Sequence, residues 1–338
     1  MMDSKAILDG IATPQDVKDV PREALDELCA EIRTRLIETI SETGGHLASN
    51  LGIVELTVAL LRCFDPPKDR IVWDVGHQCY VYKMLTGRAQ QMQTLRQMGG
   101  ISGFPNPKES PYDTFVVGHS STSVSAANGF AKAKKLLAED DYTIAVIGDG
   151  ALTGGLAYEG LNNAGASHEH LIVTVNDNGM SIDPNVGALP RHLAQLRAKP
   201  AYYHFKKWYR RLFGANPVQS PIYRFNHRLK TELKKALWPS STLFEDMGFT
   251  YLGPIDGHDL PRLCDMLQWA KELTGPVVVH VHTKKGKGYP FAERNPGKFH
   301  GIAPFDPQTG LTLQPGGETF SSTFGKTLTN CAAESEKV

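Results

Sequence analysis

Apolar residues near the start of the chain fall at helical spacing. Leu25, Leu28, Ile32, Leu36 and Ile40 recur at steps of three and four, which predicts an amphipathic helix over 24–40. A second helix is expected from about Ile53 to Cys63, after the glycine pair Gly44-Gly45. The period then changes. Arg70–Asp74, Tyr142–Ile147, Leu171–Val175 and Pro276–His282 are short, nearly continuous apolar runs that read as strands. Ser123–Leu137, Leu152–Ala164, Ser241–Met247 and Leu260–Leu273 read as helices between and beside them. Strands that alternate with helices and are apolar on both faces predict an α/β fold: a doubly wound, mainly parallel sheet with helices on both faces. In such sheets ligands bind beyond the carboxyl ends of the strands. The loops there carry the glycines and the polar residues.

Composition narrows the class without changing this picture. With 338 residues, 41% hydrophobic and 21% charged, the chain is neither disordered nor fibrous, and no internal repeat marks a solenoid. The 36 basic and 36 acidic residues cancel, so no global field attracts nucleic acid or an anionic membrane. Five scattered cysteines without a CxxC pair argue against a disulfide framework and for a reducing compartment. The N-terminal residues have neither signal nor transit character, and no apolar run reaches membrane-spanning length. A cytoplasmic bacterial protein is expected. One segment departs from the average: Pro190–Trp238 holds twelve Lys and Arg against the single acid Glu232, with aromatics among them. It reads as a solvated insertion rather than a nucleic-acid surface, because no recognised motif frames it; a phosphate-bearing substrate is a third reading.

The chemistry concentrates at two strand ends. Gly148-Asp149-Gly150-Ala151 closes one strand and opens a helix, so bare backbone N–H groups there suit a diphosphate. The Asp149 carboxylate suits a hard cation bridging that diphosphate. The next strand delivers Asn176-Asp177-Asn178 to the same edge. Mg²⁺ takes oxygen ligands, few of them from protein, and Asp149, the Asn178 amide oxygen and a backbone carbonyl near Met180 would supply them. An ordinary strand-turn-helix and an Asn-rich turn is the plainer reading of each half taken alone.

Together the two halves form a thiamine-diphosphate signature, and further motifs narrow the match. His46-Leu-Ala-Ser-Asn-Leu-Gly52, Trp73-Asp-Val-Gly-His77-Gln78, Gly118-His-Ser-Ser-Thr-Ser123, Asp177-Asn-Gly-Met-Ser-Ile182, Gly253-Pro-Ile-Asp-Gly-His-Asp259 and Thr283-Lys-Lys-Gly-Lys-Gly-Tyr289 occur in order. The chain from about Glu23 onward closely resembles the N-terminal half of the 1-deoxy-D-xylulose-5-phosphate synthases, least so across Pro190–Trp238. The resemblance implies a transketolase-type transferase. Such an enzyme decarboxylates pyruvate with thiamine diphosphate and Mg²⁺, then joins the remaining two carbons to D-glyceraldehyde 3-phosphate. The product feeds isoprenoid, thiamine and pyridoxal synthesis. It further implies that His77, Gly118, His119, Ser120, Gly150, Ala151, Asn178 and Tyr289 hold the cofactor. Asp149, Asn178 and the Met180 carbonyl would hold the metal, and His46 and His300 would assist proton transfer. A histidine titrating near neutrality can move a proton at working pH. His46, His77 and His119 each sit in a Gly- or Ser-bearing loop at an element boundary. His258 reads as readily as a turn-stabilising group, Tyr289 could cap the sheet, and Cys79 reads as a packed thiol.

The resemblance also divides the chain. Residues 1–318 correspond to the diphosphate-binding domain, with the basic insertion at about 190–238. Residues 319–338 resemble the opening helix of the domain that grips the aminopyrimidine and supplies the glutamate for cofactor activation. A half-site is expected to hold diphosphate and metal yet turn over pyruvate negligibly. The chain is therefore expected to be a fragment of a homodimeric synthase, one subunit of a split transketolase-like enzyme, or a non-catalytic cofactor-binding protein.

Overall fold

A computed structural model describes residues 6–197, 243–313, 317–335 and 337. Most of the basic segment, 198–242, therefore lies outside the described residues, as does the start of the helix expected at Ser241. The helices are α1 (Pro14–Asp19), α2 (Leu25–Thr43), α3 (Leu47–Gly52), α4 (Val54–Cys63), α5 (Tyr80–Lys83), α6 (Ser123–Leu137), α7 (Gly155–Ser167), α8 (Ala188–Arg197), α9 (Leu243–Asp246), α10 (Leu260–Glu272), α11 (Pro290–Arg294) and α12 (Phe320–Glu334). The main strands are β1 (Arg70–Trp73), β2 (Thr143–Gly148), β3 (Leu171–Asp177), β4 (Thr250–Asp256) and β5 (Val277–His282). They form one sheet in the order β1-β2-β3-β5-β4, and every neighbouring pair is parallel.

Both faces of this sheet are covered, which is why its strands carry apolar residues on both faces. In β2, Ile144 and Val146 join the core formed with α1 to α5 and α10, whereas Ala145 and Ile147 join the core formed with α6 to α9. The five apolar residues predicted to form the stripe of α2 are all buried. The register aligns Trp73 with Val146, Gly148 with Asn176, and Asp177 with His282. Asp74, Asp149 and Asp177 therefore emerge along one carboxyl edge. Asp74 is already committed there: its carboxylate accepts the Ser121 and Ser123 N–H groups at 2.7 and 3.0 Å and so caps α6.

Several elements differ from expectation, the short helices α1, α5, α8 and α11 among them. A separate helix, α3, precedes α4, with Ile53 outside the helical region between them. The run 152–164 divides into a 3₁₀ turn at Ala151–Thr153 and then α7, because Gly154 adopts an extended ψ of 142°. Strand β4 was not anticipated: Gly253-Pro254 interrupts its apolar pattern. The structure absorbs the pair with a bulge between Leu252 and Ile255, on an edge strand where proline is tolerated. The C-terminal helix forms as α12, capped by the Thr319 hydroxyl, which accepts the Ser322 N–H; all its residues are exposed.

Candidate functional site

Three histidines from distant parts of the sequence meet beyond the carboxyl edge. The rings of His46, His77 and His300 form a triangle with centroid separations of 5.3 Å (46–77), 5.7 Å (46–300) and 5.1 Å (77–300). Backbone pairing explains the meeting of His46 with His300. Gly45 and Ile302 exchange N–H···O bonds of 2.8 and 2.9 Å, and the Ala48 N–H reaches the Phe299 carbonyl at 2.9 Å. Gly44, at φ +68°, turns the chain out of α2 and lies against this pairing; a Cβ there would sit 2.8 Å from the Ile302 oxygen. Asn50 joins the third histidine. Its amide donates to the His46 and His77 carbonyls at 2.7 and 2.9 Å, and its oxygen accepts the Tyr80 N–H at 2.9 Å.

The triangle is neutral. Burial, then the neighbouring His300, Arg96 and Lys285, push His46 down to about 4. Burial and Lys285 bring His300 to about 4, and burial with the other two histidines holds His77 well below its ordinary value. The Tyr80 hydroxyl lies 3.1 Å from His46 Nδ1 and already accepts the His46 N–H, so its own proton points to Nδ1. Lys285 Nζ donates to His300 Nδ1 at 3.1 Å. Both contacts assign the remaining ring proton to Nε2. His77 Nδ1 is buried with no partner, an unsatisfied polar atom of the kind that marks a ligand position.

A second cluster lies at the ends of β2 and β3. The buried Asp149 carboxylate accepts a hydrogen bond from Asn185 Nδ2 at 2.8 Å, and the Asn178 and Gly179 N–H groups lie near enough to favour its charged form. Burial, followed by the like charge of Asp177, nevertheless raises Asp149 to about 7. The Asn178 oxygen accepts the Met180 N–H at 3.2 Å, which folds the segment into an Asx turn. Gly150 packs so closely under this turn that a Cβ would lie 2.8 Å from Ser181 Cβ. Lys285 links the two clusters. It is buried and donates to the Ser181 carbonyl as well as to His300; burial lowers it to about 8 against the opposing pull of Asp149.

The remaining sequence-predicted residues are placed further out. Gly118, His119 and Ser120 form an exposed loop in which His119 Nδ1 donates to the Ser120 carbonyl at 2.8 Å. Ser121 connects that loop to the Gly150-Ala151 turn, its hydroxyl donating to the Ala151 carbonyl at 2.7 Å. Tyr289 is not brought to the histidines. It is buried against Phe291, Phe299 and Phe305, and its hydroxyl donates to the Pro307 carbonyl at 2.9 Å. His258 anchors a turn: Nδ1 lies 3.0 Å from Glu55 and Nε2 accepts the Lys284 N–H at 2.8 Å. Cys79 is fully buried, as a packed thiol should be.

The profile of the 1-deoxy-D-xylulose-5-phosphate synthase family matches residues 8–283. The chain belongs to this family. It is 52% identical over 333 residues to the 1-deoxy-D-xylulose-5-phosphate synthase of Desulforudis audaxviator and 50% identical over 335 residues to synthase 1 of Geobacter sulfurreducens, in each case over 98% of this chain and 52% of the relative. It thus spans about half the length of these synthases. Among solved structures, transketolases from Campylobacter jejuni (TM-score 0.60, 21% identity, 90% of this chain, 46% of that one) and Leishmania mexicana (0.57, 21%, 96% and 46%) share its fold. No helix among the described residues is long and apolar enough to cross a membrane.

Within this synthase-family chain, sequence reasoning passed over Lys285, Asn50, Asn185 and Tyr80. Lys285 and Asn50 lie inside motifs quoted for the resemblance, Thr283–Tyr289 and His46–Gly52, so their signal was present. Asn185 had none: only the folded turn brings it to Asp149.

Proposed function

We propose that this chain is the diphosphate- and metal-binding portion of a 1-deoxy-D-xylulose-5-phosphate synthase, which joins two carbons of pyruvate to D-glyceraldehyde 3-phosphate with loss of CO₂. The observation that carries this reading is the joining of the Asp149–Asn178 turn to the histidine triangle by Lys285 at one carboxyl edge.

The residues present fit thiamine diphosphate and Mg²⁺. The Asp149 carboxylate, the Asn178 amide oxygen and the Met180 carbonyl would supply hard oxygen ligands of the kind Mg²⁺ takes, with phosphate oxygens completing its shell. Asp149 and Asp177 repel each other in a buried setting, which a divalent cation relieves. His77, with its orphaned Nδ1, is the donor or acceptor proposed to meet the cofactor. Gly150, Ala151 and the Gly118–Ser120 loop line the phosphate side, and Tyr289 contributes through Phe299, the neighbour of His300. Bound thiamine diphosphate supplies the electron sink for decarboxylation.

The chain's own part is to orient and to move protons. Neutral His46 and His300 can accept a proton that a permanently charged group could not take. An anion bound between them raises their basicity toward working pH. Lys285, held at His300 Nδ1, supplies the positive charge that attracts such an anion. Homodimer assembly, or a partner chain bringing the remaining half, belongs to the same proposal, as does a cytoplasmic location.

The test is to assay the chain alone and combined with the C-terminal half of the Desulforudis relative, following ¹³C-labelled pyruvate by NMR. Product is expected only from the combination, and Asp149→Asn should abolish it. Robust product from the chain alone, or turnover in the combination that is indifferent to Asp149→Asn, would overturn the assignment.

A further inference from the structure

Strand β5 reads Val277-Val-Val-His-Val-His282, and the imidazole in its middle is wholly buried. A valine there would continue the apolar run at no desolvation cost, so a buried polar group calls for an explanation. His280 Nε2 lies 2.8 Å from Asp177 Oδ2, and His280 Nδ1 lies 2.7 Å from the Tyr251 hydroxyl. Because the carboxylate can only accept, Nε2 carries the proton and Nδ1 accepts from Tyr251. Tyr251, on edge strand β4, is itself fixed by stacking on Phe244 of α9, with ring centroids 5.9 Å apart and planes 6° apart.

This chain of contacts ends on the candidate cation turn. Asp177 is the last residue of β3, and its other oxygen, Oδ1, accepts the Gly179 N–H at 3.2 Å. Its carbonyl accepts the Thr283 N–H at 2.9 Å, while the Thr283 hydroxyl donates to Asn176 Oδ1 at 2.6 Å. The exit of β3 is therefore pinned to β5 from both main chain and side chain, and the next residues are Asn178 and Met180.

We propose that His280 is a positioning residue for the metal site: by orienting the Asp177 carboxylate, with Tyr251 behind it, it fixes the 177–180 turn that presents Asn178 and the Met180 carbonyl. This rests on the reading of that turn as a cation site. It assigns a task to the buried Tyr251–His280–Asp177 triad. Residues one step behind metal ligands commonly change metal affinity by about 10- to 100-fold when altered.

The test uses the 338-residue chain, Mn²⁺ as spectroscopic probe and saturating thiamine diphosphate, with free Mn²⁺ read by electron paramagnetic resonance. His280→Leu should raise the Mn²⁺ Kd by about 10- to 100-fold. His280→Gln can still donate to Asp177 and accept from Tyr251, and should bind within about threefold of wild type. Tyr251→Phe, which removes one hydroxyl and keeps the stack, should weaken Mn²⁺ several-fold with little change in the urea midpoint. It carries the test if His280→Leu fails to fold. Unchanged Mn²⁺ affinity in Tyr251→Phe and in folded His280→Leu would overturn the proposal and leave the cofactor reading intact. Failure of the wild-type chain to bind Mn²⁺ would overturn that reading, and this proposal with it.

Discussion

Replacing Asn50 tests whether the histidine triangle is held by one side chain. Asn50 has no exposed surface, and its three hydrogen bonds of 2.7 to 2.9 Å tie the His46 carbonyl, the His77 carbonyl and the Tyr80 N–H together. In Asn50→Ala the buried Tyr80 N–H and two carbonyls lose these partners. Each bond contributes about 1 kcal/mol net, and an unmade buried donor costs about 1–3 kcal/mol, so a loss of about 3 kcal/mol is expected. Asn50→Asp keeps the shape but turns an oxygen toward both carbonyls, and should cost at least as much. Urea unfolding followed by tryptophan fluorescence reads the loss as a lower midpoint at unchanged slope. The same variants should bind thiamine diphosphate more weakly, because His46 and His77 are no longer tied to each other. An Asn50→Ala change in stability below about 0.5 kcal/mol would refute the reasoning.

Two further outcomes follow from the charges. Burial alone would raise the Glu55 carboxyl, but hydrogen bonds from His258 and Arg33 outweigh it and hold the group at about 2, below its ordinary 4.5. The stability this contributes, about 3 kcal/mol, is present above pH 4.5 and disappears as pH falls from 4.5 toward 2. Glu55→Gln should flatten that part of the urea-midpoint profile, and an unchanged acid limb would contradict the assignment. His46 and His300 should give ring-proton NMR signals that stay flat from pH 8 down to about 5 and titrate near 4. Adding inorganic diphosphate with Mg²⁺ should move both titrations upward. Ordinary titration near 6.5 in the free chain would show that the triangle is open to water.

How much of this was legible in the sequence depends on whether the signal was local. The parallel sheet was, because β2, β3 and β5 each carry a largely apolar run and α2 a clean stripe. Strand β4 was not, since Gly253-Pro254 breaks the pattern that a bulge later repairs. The Asp149 and Asn178 loops could be read as one site because both leave adjacent strands at the same edge. His46 and His300 could be related only through resemblance. Their meeting depends on the Gly45–Ile302 pairing, a contact across more than two hundred residues that no local pattern encodes. Lys285 was hidden among the lysines of its motif, and burial alone distinguishes it from exposed Lys284. Tyr289 shows the converse: it sits in a matching motif, but its hydroxyl is engaged by Pro307.

The central claim is that this chain holds the diphosphate end of its cofactor through a cation at Asp149. Its most direct test is a calorimetric titration of the chain with thiamine diphosphate, with and without Mg²⁺ and in competition with inorganic diphosphate. Binding should require Mg²⁺, be displaced by diphosphate but not by thiamine, and vanish in Asp149→Asn. Binding that ignores Mg²⁺, resists diphosphate or survives Asp149→Asn would contradict the account.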